Sequence, residues 1–323
     1  ASRGLGDVYK RQGVLSACNE YDFDQEQYRN EVGLLSNSSL IYDRQVANVG
    51  QEKDTIYLVA TVSGSQISPN THHVALLESD SLLKAYNKSN FDIEKEKFAK
   101  LLPDECYDFP NKELDIQAGT SKVMFPIYLK NLERISPDSI YFLDYKIDPE
   151  KTPNYNPDKS HVLLRIYKEN YYATTKTSTY YNYTSSTIVI PNPSGSPEVR
   201  RPTNANQVFP IGANSVRMMA GDEDLGDYKT ARSRIVSKSI ILEIGEQQPE
   251  NPQARELTIR AHDRVNDVEV DPVDVVQLTP IDDYDNTFLL NAIRTPDGRA
   301  TYYKEFRLHY NCLLYTSDAA DDL

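Results

Sequence analysis

The chain has 323 residues, 39% hydrophobic and 26% charged, and a formal net charge of −13. That length and apolar content suit two domains of ordinary size, each with a core. The acidic balance argues against non-specific nucleic-acid binding, which rests on Lys and Arg neutralising phosphates, and no run of eighteen apolar residues is available to cross a bilayer as a helix.

The ends are read before the fold, because processing and cloning remnants are not structure. "DVYKRQ" (Asp7–Gln12) back-translates to a DNA whose reverse complement, in a shifted frame, reads "CLLYT" (Cys312–Thr316). Both ends resemble a translated sequencing adapter, so residues 1–12 and 312–323 are expected to be scar. Next, Leu15-Ser16-Ala17-Cys18 resembles a bacterial lipobox, which makes 13–17 a signal-peptide remnant and Cys18 the lipid-attachment residue. Several acyl chains on one Cys supply the multiple apolar signals that stable anchoring requires. The carboxylates Glu20, Asp22, Asp24 and Glu26 follow, resembling the surface-export signal of Bacteroidota lipoproteins. The same stretch matches an Asp-x-Asp-x-Glu glycosidase core, but that chemistry needs a carboxyl group raised by burial. A stretch this polar cannot provide one, so 18–48 is expected to be a lipidated tether.

"DTIYLVATV" (Asp54–Val62) places Ile56, Leu58, Ala60 and Val62 on one face, a half-buried strand by its period of two. "HHVALLE" follows as a second strand. "SLLKAYN" and "DIEKEKFAKLL" carry helical spacing, with Ile93, Phe98 and Leu101 sharing a face. "KELDIQAG" and "SKVMFPIYLK" then read as strand, turn at Gly119, strand. "SIYFLDYKID" alternates Tyr141, Leu143 and Tyr145 against Ile140, Phe142 and Asp144. Strands at this spacing have the rhythm of a β-sandwich. The expected fold is all-β: two tandem immunoglobulin-like sandwiches, over 49–148 and 161–311, with short helices in the first. The proline-rich stretch at 149–160 reads as the linker. Beyond it, "HVLLRIYKENYYATTKTSTYYNYTSSTIVI" is rich in β-branched and aromatic residues, which favour pleated surfaces, and "SKSIILEIG", "RELTIRAHD", "VDVVQLTP" and "YYKEFRLHYN" are strand candidates.

At "FAKLLPDECYDFPNKELDIQAGTSKVMFPIYL" and "SPDSIYFLDYKI" the chain resembles domain of unknown function 1735, an immunoglobulin-like module of Bacteroidota surface lipoproteins. The likeness rests on Leu102-Pro103 followed by Tyr107, the strand-turn-strand at Gly119 and the closing "YFLDYKI". The second half, through "NSVRMMA" and "FRLHYN", resembles domain of unknown function 4361. The resemblance implies a cell-surface role beside glycan-uptake machinery and carries no catalytic residues.

With Cys312 and Cys18 assigned elsewhere, Cys106 alone remains, which rules out a disulfide framework and a cysteine metal site. The five histidines lack zinc spacing, and neither a nucleophile elbow nor a phosphate loop occurs. No catalytic residue, metal or cofactor is expected. Trp is absent against 23 Tyr, and "YYATTKTSTYYNY" (Tyr171–Tyr183) concentrates five of them. Tyr171, Tyr172, Tyr180, Tyr181 and Tyr183 are the candidate ligand-binding residues, since their rings can stack on sugars while their hydroxyls hydrogen-bond. The competing assignment is a covered sandwich face. "GDEDLGD" (Gly221–Asp227) offers hard oxygen ligands, but without EF-hand spacing it reads as a solvated acidic turn.

The expected function is a non-catalytic glycan-binding or adhesion accessory on the outer membrane, displayed at the cell surface. Its partners would be the membrane through the lipid anchor, a neutral polysaccharide given the acidic surface, and a glycan-uptake complex, with no nucleic acid. The alternatives are the targeting half of a glycoside hydrolase, or a structural subunit of a surface fibre or uptake complex.

Overall fold

The computed structural model describes residues 29–313, apart from 193, 204, 225, 227, 263, 266–267, 270–273, 283 and 295. Cys18, the lipobox remnant and the acidic stretch behind it lie outside the described residues.

The chain is all-β in character. The first domain contains β1 (Val32–Leu34), β2 (Ile41–Asn48), β3 (Asp54–Val62), β4 (His72–Glu78), helix α1 (Ser81–Phe91), β5 (Lys100–Leu101), β6 (Tyr107–Asp108), β7 (Glu113–Ile116), β8 (Lys122–Leu129), β9 (Tyr141–Ile147) and β10 (His161–Glu169). One sheet has the order β1-β3-β8-β6 and the other β2-β10-β9-β4-β7, with β5 also paired to β9. Alternation decides what lies between them. Ile56, Leu58 and Ala60 of β3 and Phe125, Ile127 and Leu129 of β8 meet Leu143, Tyr145, Val162 and Leu164 of the facing sheet.

β9 is buried on both faces, which explains its unbroken apolar run. Tyr141, Leu143 and Tyr145 face the sandwich core, while Phe142 packs with Leu83 under α1. Asp144 shares that outer face and serves the helix. Asp80, just before α1, makes no side-chain cap; instead Asp144 Oδ2 accepts from the amides of Leu82 (3.1 Å) and Leu83 (3.0 Å). Burial pushes the Asp144 carboxyl above the usual range even though those amides pull it down. The folded state therefore holds its proton more tightly than the unfolded chain, and the stability this adds is lost as pH rises through the folded pKa. Asp144→Asn keeps an acceptor for both amides and is expected to change stability by less than about 1 kcal/mol at pH 7. Asp144→Leu orphans two buried donors and is expected to cost about 1–3 kcal/mol. Urea unfolding decides between them: equal losses would refute the capping role.

Several expectations are corrected. Residues 32–34 and 41–48, assigned to the tether, are strands of the sandwich; β2 runs parallel to β10, pairing Leu163 with Ile41. The turn at Gly119, with φ +78°, reverses the chain as expected but does not close a hairpin. β7 pairs with β4 in one sheet and β8 with β3 in the other, so the turn carries the chain across the core. "DIEKEKFAKLL" forms no α-helix. Asp92 at φ +49° ends α1, Ile93 is 83% exposed, and Lys100–Leu101 pairs with β9 as β5. Asn87 holds the departing chain, exchanging side-chain bonds with Ala99 N (2.8 Å) and Ala99 O (2.9 Å). The proline-rich 149–160 is bound into the first domain: Val32 N donates to Asn154 O, Asn156 N to Val32 O, and Ala75 N to the Thr152 hydroxyl. β10, expected to open the second domain, lies between β2 and β9 because Val162, Leu164 and Ile166 complete the first core.

The second domain comprises β11 (Thr179–Tyr181), β12 (Ile188–Ile190), β13 (Glu198–Arg200), β14 (Asn206–Gly212), β15 (Ser215–Met219), helix α2 (Tyr228–Lys238), β16 (Ser239–Gln247), β17 (Ala254–Ala261), β18 (Arg264–Val265), β19 (Val268–Glu269), β20 (Asp274–Gln277), β21 (Thr287–Arg294), β22 (Ala300–Arg307) and β23 (Tyr310–Leu313). Helix α2 is an addition to the expectation of helices in the first domain alone. An antiparallel seven-stranded sheet, β11-β14-β15-β16-β17-β21-β22, carries most of the fold. It curls until its edges meet: Tyr181 on β11 lies 4.9 Å from Phe306 on β22. The β20–β23 pair covers the concave side. The Gln277 side chain accepts from Ile259 N (2.7 Å) and donates to Leu257 O (3.1 Å), while Val275, Tyr310 and Cys312 pack on the core. "YYKEFRLHYN" is thus two strands, and β23 crosses the expected scar boundary at residue 312 with Val275 paired to Cys312.

The two domains meet through buried polar contacts. Asn170, just after β10, donates to Gly212 O (2.8 Å) and Ser215 O (3.0 Å) and accepts from the amides of Tyr172 and Ala173. Arg217 of β15, 1% exposed, reaches the Asp138 carboxylate of the first domain with both terminal nitrogens, one at 2.6 Å. Its guanidinium carbon lies 4.2 Å from the Phe209 ring centroid.

Candidate functional site

The five tyrosines of the candidate patch separate. β11 is an edge strand pairing Tyr180 with Gln207 and Tyr181 with Asn206. Its alternation turns Tyr181 inward and leaves Tyr180 58% exposed. Tyr181 donates to Tyr172 O at 3.0 Å, and burial pushes its hydroxyl pKa well above the usual tyrosine range. Tyr172 is 3% exposed, its ring standing nearly perpendicular to Phe288 at 4.9 Å. Tyr183 donates to Gly221 O and accepts from Asn206 Nδ2 at 2.8 Å. Gly221, at φ +55°, also donates its amide to the buried Tyr310 hydroxyl at 2.7 Å. Tyr172 and Tyr181 therefore belong to the second core, and Tyr183 is half-buried with its hydroxyl engaged. The ligand assignment of Tyr172 and Tyr181 is corrected, because inward alternation and the curl of the sheet commit their rings to packing. Tyr171 and Tyr180 alone among the five remain well exposed.

Tyr171 has neighbours that the sequence did not bring together. The register of β21 and β22 sets Phe288 opposite Phe306, Leu290 opposite Lys304 and Ala292 opposite Tyr302. Along this face β22 passes from the core outward, through Phe306 and Lys304 to Tyr302, which is 63% exposed. Tyr171 sits over this rim, 6.4 Å from Phe288, and the Lys304 ammonium lies 4.0 Å from its ring centroid while donating to Tyr171 O. Burial pushes the Lys304 pKa down. Arg255, opposite Phe288 on β17, borders the same rim. Burial raises the Tyr172 hydroxyl, and the Arg255 charge opposes that rise. The result is two exposed phenol rings and two cations above a floor of Tyr172, Phe288 and Phe306. Such a surface can stack on the C–H faces of a sugar and hydrogen-bond its polar edge. Tyr302 and Lys304 were legible only as strand residues; their alternation with Phe306 was the available signal.

The acidic turn is engaged elsewhere. Asp222 pairs with Arg200 at 3.0 Å, while Glu223 and Asp224 each lie 2.9 Å from Arg234, and Glu223 also pairs with Lys238. Asp227 lies outside the described residues. Among the described residues, no cluster of His, Cys, Asp and Glu has metal-binding geometry, and no helix is long and apolar enough to cross a membrane.

A family model described as an N-terminal domain matches residues 27–154, and one described as C-terminal matches 160–319. The second match runs past residue 312, in agreement with the pairing of β23. No curated protein sequence matches the chain. Among solved structures, a Bacteroides ovatus protein of unknown function is 17% identical, with a TM-score of 0.60 over 89% of this chain and 86% of its own. A multidomain protein of the same organism, including domain of unknown function 1735, is 17% identical with a TM-score of 0.52, covering 88% of this chain and 95% of its own. An auxiliary nutrient-binding protein from Bacteroides thetaiotaomicron is also 17% identical, with a TM-score of 0.53 over 81% and 82%. These TM-scores, all above 0.5, show a shared fold. The chain thus carries an N-terminal and a C-terminal domain matched by paired family models over residues 27–154 and 160–319, and it shares its β-fold with solved Bacteroides proteins.

Proposed function

We propose that the protein is a non-catalytic glycan-binding accessory, held at the bacterial surface by a lipid on Cys18, with the rim of the second domain as its binding face. The observation that carries this is the pair of exposed rings, Tyr171 and Tyr302, flanking Lys304 at the open end of the curled sheet. Rigid amphipathic rings lose little conformational entropy on binding and present apolar area beside hydrogen-bonding groups. The fold shared with an auxiliary nutrient-binding protein supports the same class of role. The Leu15-Ser16-Ala17-Cys18 motif supports the anchor.

Native affinity electrophoresis of the folded protein against neutral and acidic polysaccharides, with product analysis of each mixture, tests this. The expected result is retardation by at least one glycan without new products, weakened about tenfold or more by Tyr302→Ala, the loss of one stacked ring. Tyr180→Ala, on the opposite face, is expected to leave retardation unchanged. Release of shorter sugars would make the protein an enzyme. The anchor is tested separately, by labelling with a fatty-acid analogue in cells: Cys18→Ala is expected to abolish incorporation.

A further inference from the structure

The overall charge of −13 favours neutral ligands, yet the rim carries the opposite sign. Lys304 and Arg255 both border it, and neither is ion-paired with a carboxylate among the described residues. Many other cations in the second domain are paired: Arg200 with Asp222, Arg234 with Glu223 and Asp224, Lys238 with Glu223, Arg260 with Glu243 and Arg307 with Glu305. Glu305, beside Lys304 in sequence, projects to the other face of β22, where it bonds Asn291 (2.7 Å) and Arg307 (3.0 Å). Two cations whose partners are carbonyls, Tyr171 O for Lys304 and Gly245 O (3.4 Å) for Arg255, rather than carboxylates, at one aromatic rim of an acidic chain, make the arrangement of an anion site. Distant carboxylates do not cancel it, because charges beyond about 8 Å are largely screened at physiological ionic strength.

We infer that this rim binds a carboxylate-bearing sugar, a uronic-acid residue of an acidic polysaccharide, stacked against Tyr171 or Tyr302 with its carboxylate between Lys304 and Arg255. This deepens the glycan-binding reading and rests on it. The geometry suits an extended ligand. Arg255 lies two strands from Phe306, and Lys304 two residues further along β22, so their backbones stand on the order of 12 Å apart. Lys304 is held in place by the Tyr171 ring and carbonyl, so little side-chain freedom remains to be lost when a carboxylate arrives.

The test compares polygalacturonate with a neutral glucan and a neutral mannan in affinity electrophoresis at low and high NaCl. Four proteins are needed: wild type, Lys304→Met/Arg255→Met, Lys304→Arg and Tyr302→Ala. The expected result is retardation by polygalacturonate that falls at least tenfold in the Met/Met protein and in high salt and survives in Lys304→Arg. Tyr302→Ala should weaken it independently of salt. Circular dichroism and thermal unfolding confirm that each variant folds. Polygalacturonate binding that is unchanged in the Met/Met protein would overturn the charge recognition. So would retardation by a neutral glycan alone, which would leave the glycan-binding reading standing. Retardation of folded wild type by none of the three overturns both.

Discussion

Asp138→Ala is expected to lower unfolding stability by about 3–5 kcal/mol, the cost of leaving a buried charge without its partner. Arg217 is 1% exposed, and its guanidinium is turned towards the Asp138 carboxylate and the Phe209 face. Without that carboxylate, the guanidinium cannot recover water. The loss should be non-additive: in urea denaturation, Asp138→Ala/Arg217→Met should cost less than the sum of the single variants, because an apolar side chain can fill the space once both charges are gone. A cycle with no coupling would show that the domain junction rests on other contacts. The pair also sets a pH dependence. Burial pushes the Asp138 carboxyl up, but the Arg217 charge and hydrogen bonds outweigh it, and the folded pKa lies below the ordinary value. Stability from this group is therefore complete above about pH 4, the unfolded carboxylate pKa, and disappears as pH falls through the lower folded pKa. Acid unfolding of Asp138→Ala should lack that component.

Phe288→Ala is expected to cost about 3–5 kcal/mol and to abolish glycan retardation. Phe288 is 2% exposed, and its ring touches Tyr172 at 4.9 Å and Phe306 at 5.2 Å, with Tyr171 at 6.4 Å above. Its removal opens a cavity beneath the rim, and Tyr171 loses the surface that positions it. Phe288→Leu keeps most of the volume and is expected to cost less than about 1.5 kcal/mol. If Phe288→Ala remains folded at low temperature and retains wild-type retardation by polysaccharide, the rim is not the binding face. Differential scanning calorimetry combined with electrophoresis below the transition separates the stability effect from the binding effect.

Sequence reasoning named Tyr171 but missed Tyr302 and Lys304, for a physical reason. Tyr171 follows β10, and Lys304 and Tyr302 lie on β22, more than 130 residues later. They meet because the seven-stranded sheet curls and its edges converge. A period of two separates Tyr181 and Tyr183 from Tyr180 and Asn182. It could not tell which face would be covered, since that depends on the strand brought opposite by the curl. The acidic total likewise pointed to neutral ligands, whereas the charge at the rim depends on which cations find carboxylates, as Arg234 does and Lys304 does not.

What the sequence determined by itself is local: the strand identity of β3, β8 and β9, the buried face of β3, and the all-β class. Alternation and residue type act within a single strand, so Ile56, Leu58 and Ala60 announce a buried face without any partner being known. What only the tertiary structure decided is pairing. Gly119 marks a reversal in either case, but whether β7 and β8 bond each other or different sheets depends on which long-range ladder buries Ile116 and Phe125 best. Asp144 reads as a polar interruption of β9 until the helix N-terminus settles on it, and Asp138 as a loop carboxylate until Arg217 arrives from the other domain. Backbone and charge partners at large sequence separation are chosen by the packing of whole sheets, and no local period encodes that choice.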